Sequence, residues 1–287
     1  MATLADFKTS EKAWWCPGCG DFGVLAAMQK ALVAVGAEPH QTAIIAGIGC
    51  SGKLGNYINS YNIHVTHGRT LPAALGVKLA NRDLLVLAAG GDGDAYAIGM
   101  GHFLHALRRN VNMTYIVMDN HVYGLTKGQV SPTSESGFPT KTTPEGSLDH
   151  PVHPLMLAVS AGATFVAQGF SSWQPQLARL IQLGIEHPGF AFINVISPCV
   201  TYNKVNTYDW YKAHLINLDE DPDYHATDRT RALARLEETD ELVTGLIYRE
   251  SSVPYEDRLP RFSSEPLISQ NWEMDTKTWD HILSRLR

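Results

Sequence analysis

Between residues 20 and 200 the chain alternates two hydrophobic patterns. DFGVLAAMQKALVAV (21–35) repeats its apolar positions with helical period, begins at Asp21 as a capping residue and ends just before Gly36, so a helix is expected there. LPAALGVKLAN (71–81) predicts a helix with Pro72 in its first turn, and WQPQLARLIQLGIEH (173–187) predicts another. The intervening runs TAIIAGI (42–48), LLVLAAG (84–90), MTYIVMD (113–119), TFVAQ (164–168) and FAFINVI (190–196) are short and predominantly apolar, without polar alternation. Strands buried on both faces and separated by helices predict an α/β fold with a parallel sheet flanked by helices.

Two regions break the rhythm. Residues 120–153 are polar and far too long for a simple connector, and such loops are usually functional. After about residue 200 the pattern changes again, so 1–200 reads as an α/β domain and 201–287 as a polar extension packing on the core or on a partner subunit. Within the extension, HATDRTRALARLEETDELVTGLIYRE (225–250) reads as one helix and PYEDRLPRFSSEP (254–266) as a proline-rich tail.

Composition adds exclusions. The net charge of −6 argues against nucleic acid, and the clusters Arg108–Arg109 and Arg258–Arg261 read as solvated faces. No run of 18 uncharged apolar residues exists and the start lacks a signal pattern, so the chain reads as cytoplasmic with no membrane partner. Structural disulfides are then not expected among its four cysteines. The charged fraction of only 18% hints at a surface covered by another subunit.

Ligands of parallel sheets bind at the carboxyl ends of the strands. LLVLAAG leads into GGDGDAYAIGMG (90–101), and MTYIVMD leads into Asn120. Oxygen side chains on neighbouring strand ends suit Mg2+, which shares its shell with phosphate. The glycines allow a diphosphate close to the backbone, and a helix beginning near Ala95 would offer it amides. Alone, Gly-Asp-Gly reads as an ordinary turn with a capping Asp. Here Gly91-Asp92-Gly93 is followed by 26 residues (94–119), Asn120 and YGLT, which resembles the thiamine diphosphate motif. That resemblance implies Mg2+ ligands at Asp92, Asn120 and the Val122 carbonyl. Many members have Asn-Asn where this chain has Asp119-Asn120.

GIGCSGKL (47–54) fits two other patterns and satisfies neither. Gly47, Gly49 and Gly52 make GxGxxG, yet no Asp or Glu follows before Asp83 to bind a ribose. Gly47 to Lys53 makes GxxxxGK, yet Leu54 stands where a P-loop needs Ser or Thr.

Cys16 and Cys19 form a tight CxxC, while Cys50 and Cys199 each follow a strand and stand 148 residues (51–198) apart. Strand ends converge on one edge, so all four thiols can meet. Zinc and an iron–sulfur cluster both remain open on spacing alone. So does a dithiol redox pair.

Together WCPGCGDFGVL, GIGCSGK, HVTHGRTLPAALGVKLA, GGDGDAYAIGMGHFLHALRRN, DNHVYGLTKGQVSPTS and ISPC resemble the β subunit of 2-oxoacid:ferredoxin oxidoreductases over residues 14–199. The resemblance implies one 4Fe-4S cluster on Cys16, Cys19, Cys50 and Cys199. It places Ile48, Gly49, Cys50, Ser51, His67, Gly68, Gly91, Gly93, Asp94, Tyr123, Gly124 and Leu125 around thiamine diphosphate. Lys53 and Lys127 become candidates to meet the substrate carboxylate, each with the alternative of a solvated surface charge. His67 is read as a diphosphate ligand or proton shuttle, and His64 is left open.

The implied reaction is coenzyme A-dependent oxidative decarboxylation of a 2-oxoacid, 2-oxoglutarate favoured over pyruvate, to acyl-CoA and CO2, with ferredoxin reduced. It can also run in reverse. One α/β unit lacks the second domain that carries the activating Glu, so an α subunit is expected to supply it, in a dimer of αβ heterodimers. The alternatives are a non-oxidative thiamine diphosphate decarboxylase subunit and a zinc-stapled, non-catalytic nucleotide-binding subunit.

Overall fold

The computed structural model describes residues 1–259, 265–271 and 273–286. Along the chain its strands are β1 (Thr42–Ala46), β2 (Tyr61–His64), β3 (Leu85–Gly91), β4 (Met113–Asp119), β5 (Phe165–Phe170), β6 (Phe190–Ile196), β7 (Ile216–Asn217) and β8 (Val243–Arg249). The α-helices are α1 (Asp21–Ala34), α2 (Thr70–Ala80), α3 (Met100–Arg109), α4 (Pro154–Ser160), α5 (Gln174–Glu186), α6 (Tyr208–His214), α7 (Arg229–Glu238) and α8 (Thr276–Ser284). One sheet runs β2-β1-β3-β4-β6-β5-β8-β7. The strands from β2 to β5 pair in parallel, and β8 joins β5 antiparallel, Phe165 opposite Arg249 and Gln168 opposite Gly245.

β4 and β6 are buried at every position, because both faces of the sheet are covered. Alternate side chains part to opposite faces with the period of a strand. Ile44, Leu87, Ile116, Met118 and Ile193 pack with Val24, Leu32, Leu177 and Ile181 of α1 and α5. Ile45, Val86, Tyr115, Val117 and Phe192 pack with residues of α2, α3, α4 and α7, among them Leu71, Phe103, Leu155 and Leu236. The five expected strands all form, and the parallel order brings the ends of β1, β3, β4 and β6 to one edge.

Three expectations need correction. Residues 225–250 are not one helix. After Glu238 the chain turns through Asp240 and Glu241, both with positive φ (49° and 58°), and VTGLIYR enters the sheet as β8. Its β-branched and aromatic residues find an open ladder beside β5, and that pairing overrides the helical reading. Asp21 does not cap α1, where Gly20 holds the cap position without a side-chain bond. The Asp21 carboxylate accepts instead from Ser197 Oγ at 2.7 Å, 1% exposed. The α-helix after Asp92 begins at Met100, preceded by a wide π-type turn, Gly93–Ile98. Of the expected tail 254–266, residues 260–264 lie outside the described residues, as does Arg261 of the Arg258–Arg261 cluster. No helix among the described residues is long and apolar enough to cross a membrane.

Candidate active site

Four connections after strand ends, 47–51, 64–70, 91–94 and 119–126, enclose a cavity of about 280 Å³. Ile48, Gly49, Cys50, Ser51, His67, Gly91, Asp92, Gly93, Asp94, Asn120, Val122, Tyr123, Gly124 and Leu125 line it, joined by Thr126. β3 and β4 are neighbours, Gly91 opposite Met118, which is why Asp92 and Asn120 reach one space. Gly93 is required by crowding, since a Cβ there would lie 2.1 Å from the Tyr123 ring.

Asp94 lines the cavity and is also bonded to the loops around it. Its buried carboxylate accepts from Ile48 N at 3.1 Å, Gly68 N at 2.8 Å and Thr70 Oγ1 at 2.9 Å, and meets His67 Nδ1 at 3.0 Å. It clamps two cavity loops together. An acceptor-only carboxylate assigns the proton to His67 Nδ1, which leaves Nε2 as the nitrogen free for a ligand. Gly68 contributes through that clamp and lies outside the cavity lining.

Asp92 is 3% exposed and accepts from Ser131 Oγ and from Thr133 Oγ1 at 3.0 Å. Thr133 Oγ1 also lies 2.8 Å from Asp119 Oδ1. Burial first, and then the neighbouring Asp119, push the Asp92 carboxyl above its ordinary range. A dication beside Asp92 would offset both causes. Asn120 Oδ1 accepts from Val122 N at 3.1 Å, folding the backbone so that both residues line the cavity.

The thiols gather beside this cavity. A Cβ on Gly124 would stand 3.6 Å from Cys199 Sγ and 3.7 Å from Cys50 Sγ. Cys16 and Cys19 close their turn through Cys19 N to Cys16 O at 2.9 Å. Cys16 is exposed and the other three are partly buried. Burial, then Asp21, pushes the Cys19 thiol well up, with Cys50 and Cys199 adding to it. Burial and Asp21 raise Cys50 to about 11, opposed by Lys53. The Asp21 carboxyl is itself raised to about 6 by burial. Among the described residues no three His, Cys, Asp or Glu side chains converge tightly enough to hold a single ion.

Neither lysine lines the cavity. Lys53 Nζ donates to Trp14 O at 3.3 Å, and Lys127 is exposed with φ 78°. His64 ends the exposed edge strand β2.

Residues 47–195 match the family model described as the thiamine pyrophosphate enzyme C-terminal TPP binding domain. Residues 199–264 match the C-terminal region of the pyruvate ferredoxin oxidoreductase beta subunit. The chain is 46% identical to the β subunit of 2-oxoacid:ferredoxin oxidoreductase 1 of Aeropyrum pernix over 77% of this chain and 70% of that one. The chain belongs to the 2-oxoacid:ferredoxin oxidoreductase β subunits. The β subunit of a second such enzyme of the same organism is 38% identical over 96% of this chain and 94% of its own. The 2-oxoglutarate oxidoreductase subunit KorB of Mycobacterium tuberculosis is 43% identical over 69% of this chain and 53% of its own. A 2-oxoglutarate:ferredoxin oxidoreductase from Magnetococcus marinus, solved with 2-oxoglutarate, coenzyme A and succinyl-CoA bound, superposes with a TM-score of 0.90 at 37% identity, covering 100% of this chain and 96% of that one.

A β subunit is one part of a multi-subunit enzyme, so an α subunit accompanies it. Ser131, Thr133 and Thr70 escaped the sequence reading. The first two sit in the polar stretch 120–153, within the family-like segment DNHVYGLTKGQVSPTS, where nothing singled out either hydroxyl.

Proposed function

We propose that this β subunit, with its α subunit, oxidatively decarboxylates 2-oxoglutarate with coenzyme A, yielding succinyl-CoA and CO2 and passing two electrons to ferredoxin. The carrying observation is that Gly124 stands on the cavity wall beside two of the four thiols, so a thiamine diphosphate site and a redox site share one boundary. Substrate choice follows the KorB relatives and the solved neighbour.

The residues present suit the groups the family implies. Asp92, Asn120 and the Val122 carbonyl would hold Mg2+, whose charge would offset the burial and the neighbouring Asp119 that raise the Asp92 carboxyl. The glycines at 91 and 93 admit a diphosphate, and His67 presents Nε2 to it. The half-buried thiols need a cationic partner to ionise, and four cysteine ligands beside the proposed thiamine diphosphate site would suit a 4Fe-4S cluster that accepts electrons. Bound here, thiamine diphosphate supplies the electron sink for losing CO2, and a 4Fe-4S cluster takes electrons singly.

The protein's own part is placement. Asp94 fixes the loops carrying Ile48 and His67. Tyr123 packs against Gly93 and fixes the turn after β4. Trp15 donates Nε1 to Cys50 O at 2.8 Å and anchors the cysteine loop. Lys53 and Lys127 act on the substrate carboxylate only if the α subunit or the substrate draws them inward. The α subunit supplies the activating Glu, and the assembly is a dimer of αβ heterodimers. The chain works in the cytoplasm.

The test is anaerobic co-purification with the α subunit, followed by metal analysis and a visible spectrum. A brown protein with about four irons per β chain, bleached by 2-oxoglutarate plus coenzyme A and slowly by pyruvate, is expected. A colourless, zinc-bearing protein overturns the redox reading. Equal bleaching by pyruvate overturns the substrate.

A further inference from the structure

We infer that the face around the CPGC turn is the docking surface for a small acidic electron-transfer protein, an inference that rests on the cluster reading above. The redox site reaches the surface here, because Cys16, Pro17 and Gly18 are exposed while Cys19, Cys50 and Cys199 are partly covered. An electron leaving the site has its shortest way out through this turn.

The charge around it is lopsided. Four stretches wall the cysteines: 8–20, 47–58, 121–134 and 197–208. They carry Lys8, Lys12, Lys53, Lys127 and Lys204 against a single carboxylate, Glu11. The chain as a whole carries −6, so this face opposes the average. Three acids directly follow these stretches: Asp21 is buried against Ser197, Glu135 accepts from Asn206 Nδ2 at 2.7 Å, and Asp209 lies 3.6 Å from Lys212 Nζ. A local positive field on an acidic protein attracts a negatively charged partner and orients it.

The patch also has an apolar centre. Trp14 is 77% exposed, and Tyr202 and Val205 are exposed beside the thiol-bearing turn. A large aromatic ringed by cations is the usual composition of an interface anchor. The loops are held in place before any partner arrives. Trp14 N donates to Tyr57 Oη at 2.9 Å, Lys53 Nζ holds Trp14 O, and Tyr208 Oη donates to Gly18 O at 3.2 Å. A preorganised surface loses little freedom on docking.

Each transfer moves one electron from this site to the partner's oxidised centre, with no bond made or broken and no proton moved. A competing occupant of a positive face is coenzyme A, whose phosphates are also anionic, and the test separates the two.

The experiment uses the αβ holoenzyme with Lys12→Glu, and with Lys12→Glu combined with Lys204→Glu. Ferredoxin affinity is measured by calorimetry at low and high salt, alongside KM for ferredoxin, KM for coenzyme A and the rate with a neutral quinone acceptor. Ferredoxin affinity of the unmutated enzyme should fall with salt. The variants should raise KM for ferredoxin roughly tenfold, with quinone reduction and KM for coenzyme A unchanged. The proposal is overturned by an unchanged ferredoxin KM, by a shift in coenzyme A KM instead, or by loss of the α subunit on size exclusion. An unmutated enzyme that lacks the visible cluster and reduces no quinone sinks the cluster reading, and the docking surface with it.

Discussion

At the scale of single residues, the two aspartates of the Gly-Asp-Gly-Asp turn do opposite work. Asp94 spends its whole carboxylate on the protein, and Asp92 keeps proton-donating neighbours on one side only. Replacing Asp94 with Asn puts an amide donor against the donors that now face it. The fold should lose about 2–4 kcal/mol, the scale of broken charge-assisted bonds in a buried network, and cofactor affinity should drop with it. Thermal melts and a fluorescence titration with thiamine diphosphate and Mg2+ check both. Thr133→Val should weaken Mg2+ binding roughly 10- to 100-fold, as loss of an outer-shell orienting group does, while Thr133→Ser should restore it. Equal Mg2+ titrations for the two variants would show that the hydroxyl does not orient Asp92. Asp92 and Asn120 were legible because their spacing and strand context are visible in one dimension. Ser131 and Thr133 were not, since a hydroxyl in an aperiodic polar stretch gains meaning only from what folds over it.

At the scale of elements, the same contrast separates β4 from β2 and β8. MTYIVMD is apolar over most of its length and buried at every position, and declares itself a central strand. YNIH (61–64) is exposed along its length at the sheet edge, so no burial pattern marks it. VTGLIYR followed a good helical segment, and only the ladder offered by β5 decides its state. At the opposite end of the sheet, Asn110 joins the elements: its Oδ1 accepts from Thr164 Oγ1 at 2.7 Å and from Phe190 N at 2.9 Å. With its proton given to Asn110, Thr164 Oγ1 accepts from His187 Nε2 at 2.8 Å. His187 Nδ1 then faces the core with no partner and beside Phe165. Burial, then Arg249, lowers the His187 pKa from 6.5 to about 4. A base held below its unfolded value resists protonation only while folded. Stability is therefore whole above 6.5 and drains away as pH falls towards 4. Melting temperature against pH should show that slope, and His187→Gln should flatten it. A slope unchanged in the variant would assign it to other groups.

At the scale of the whole molecule, the cavity exists because a parallel sheet delivers unrelated loops to one edge. The four cysteines come from three separated stretches, so they cannot approach one another until β1, β3, β4 and β6 are registered. Mixing α subunit into purified β chain should raise 2-oxoacid oxidation from nothing to full turnover. A β chain active alone would refute the shared site.

The antiparallel seam between β5 and β8 bears on how the chain is made. Seventy-two residues (171–242) separate the two strands, so at bacterial or eukaryotic elongation speeds β5 waits roughly 4–14 s for its neighbour to leave the ribosome. During that interval the nascent chain carries an unsealed, largely apolar rim. A version stopped before Val243 is frozen in that state and should be recovered in inclusion bodies. One stopped after Leu259 has its rim sealed and should remain monodisperse in solution.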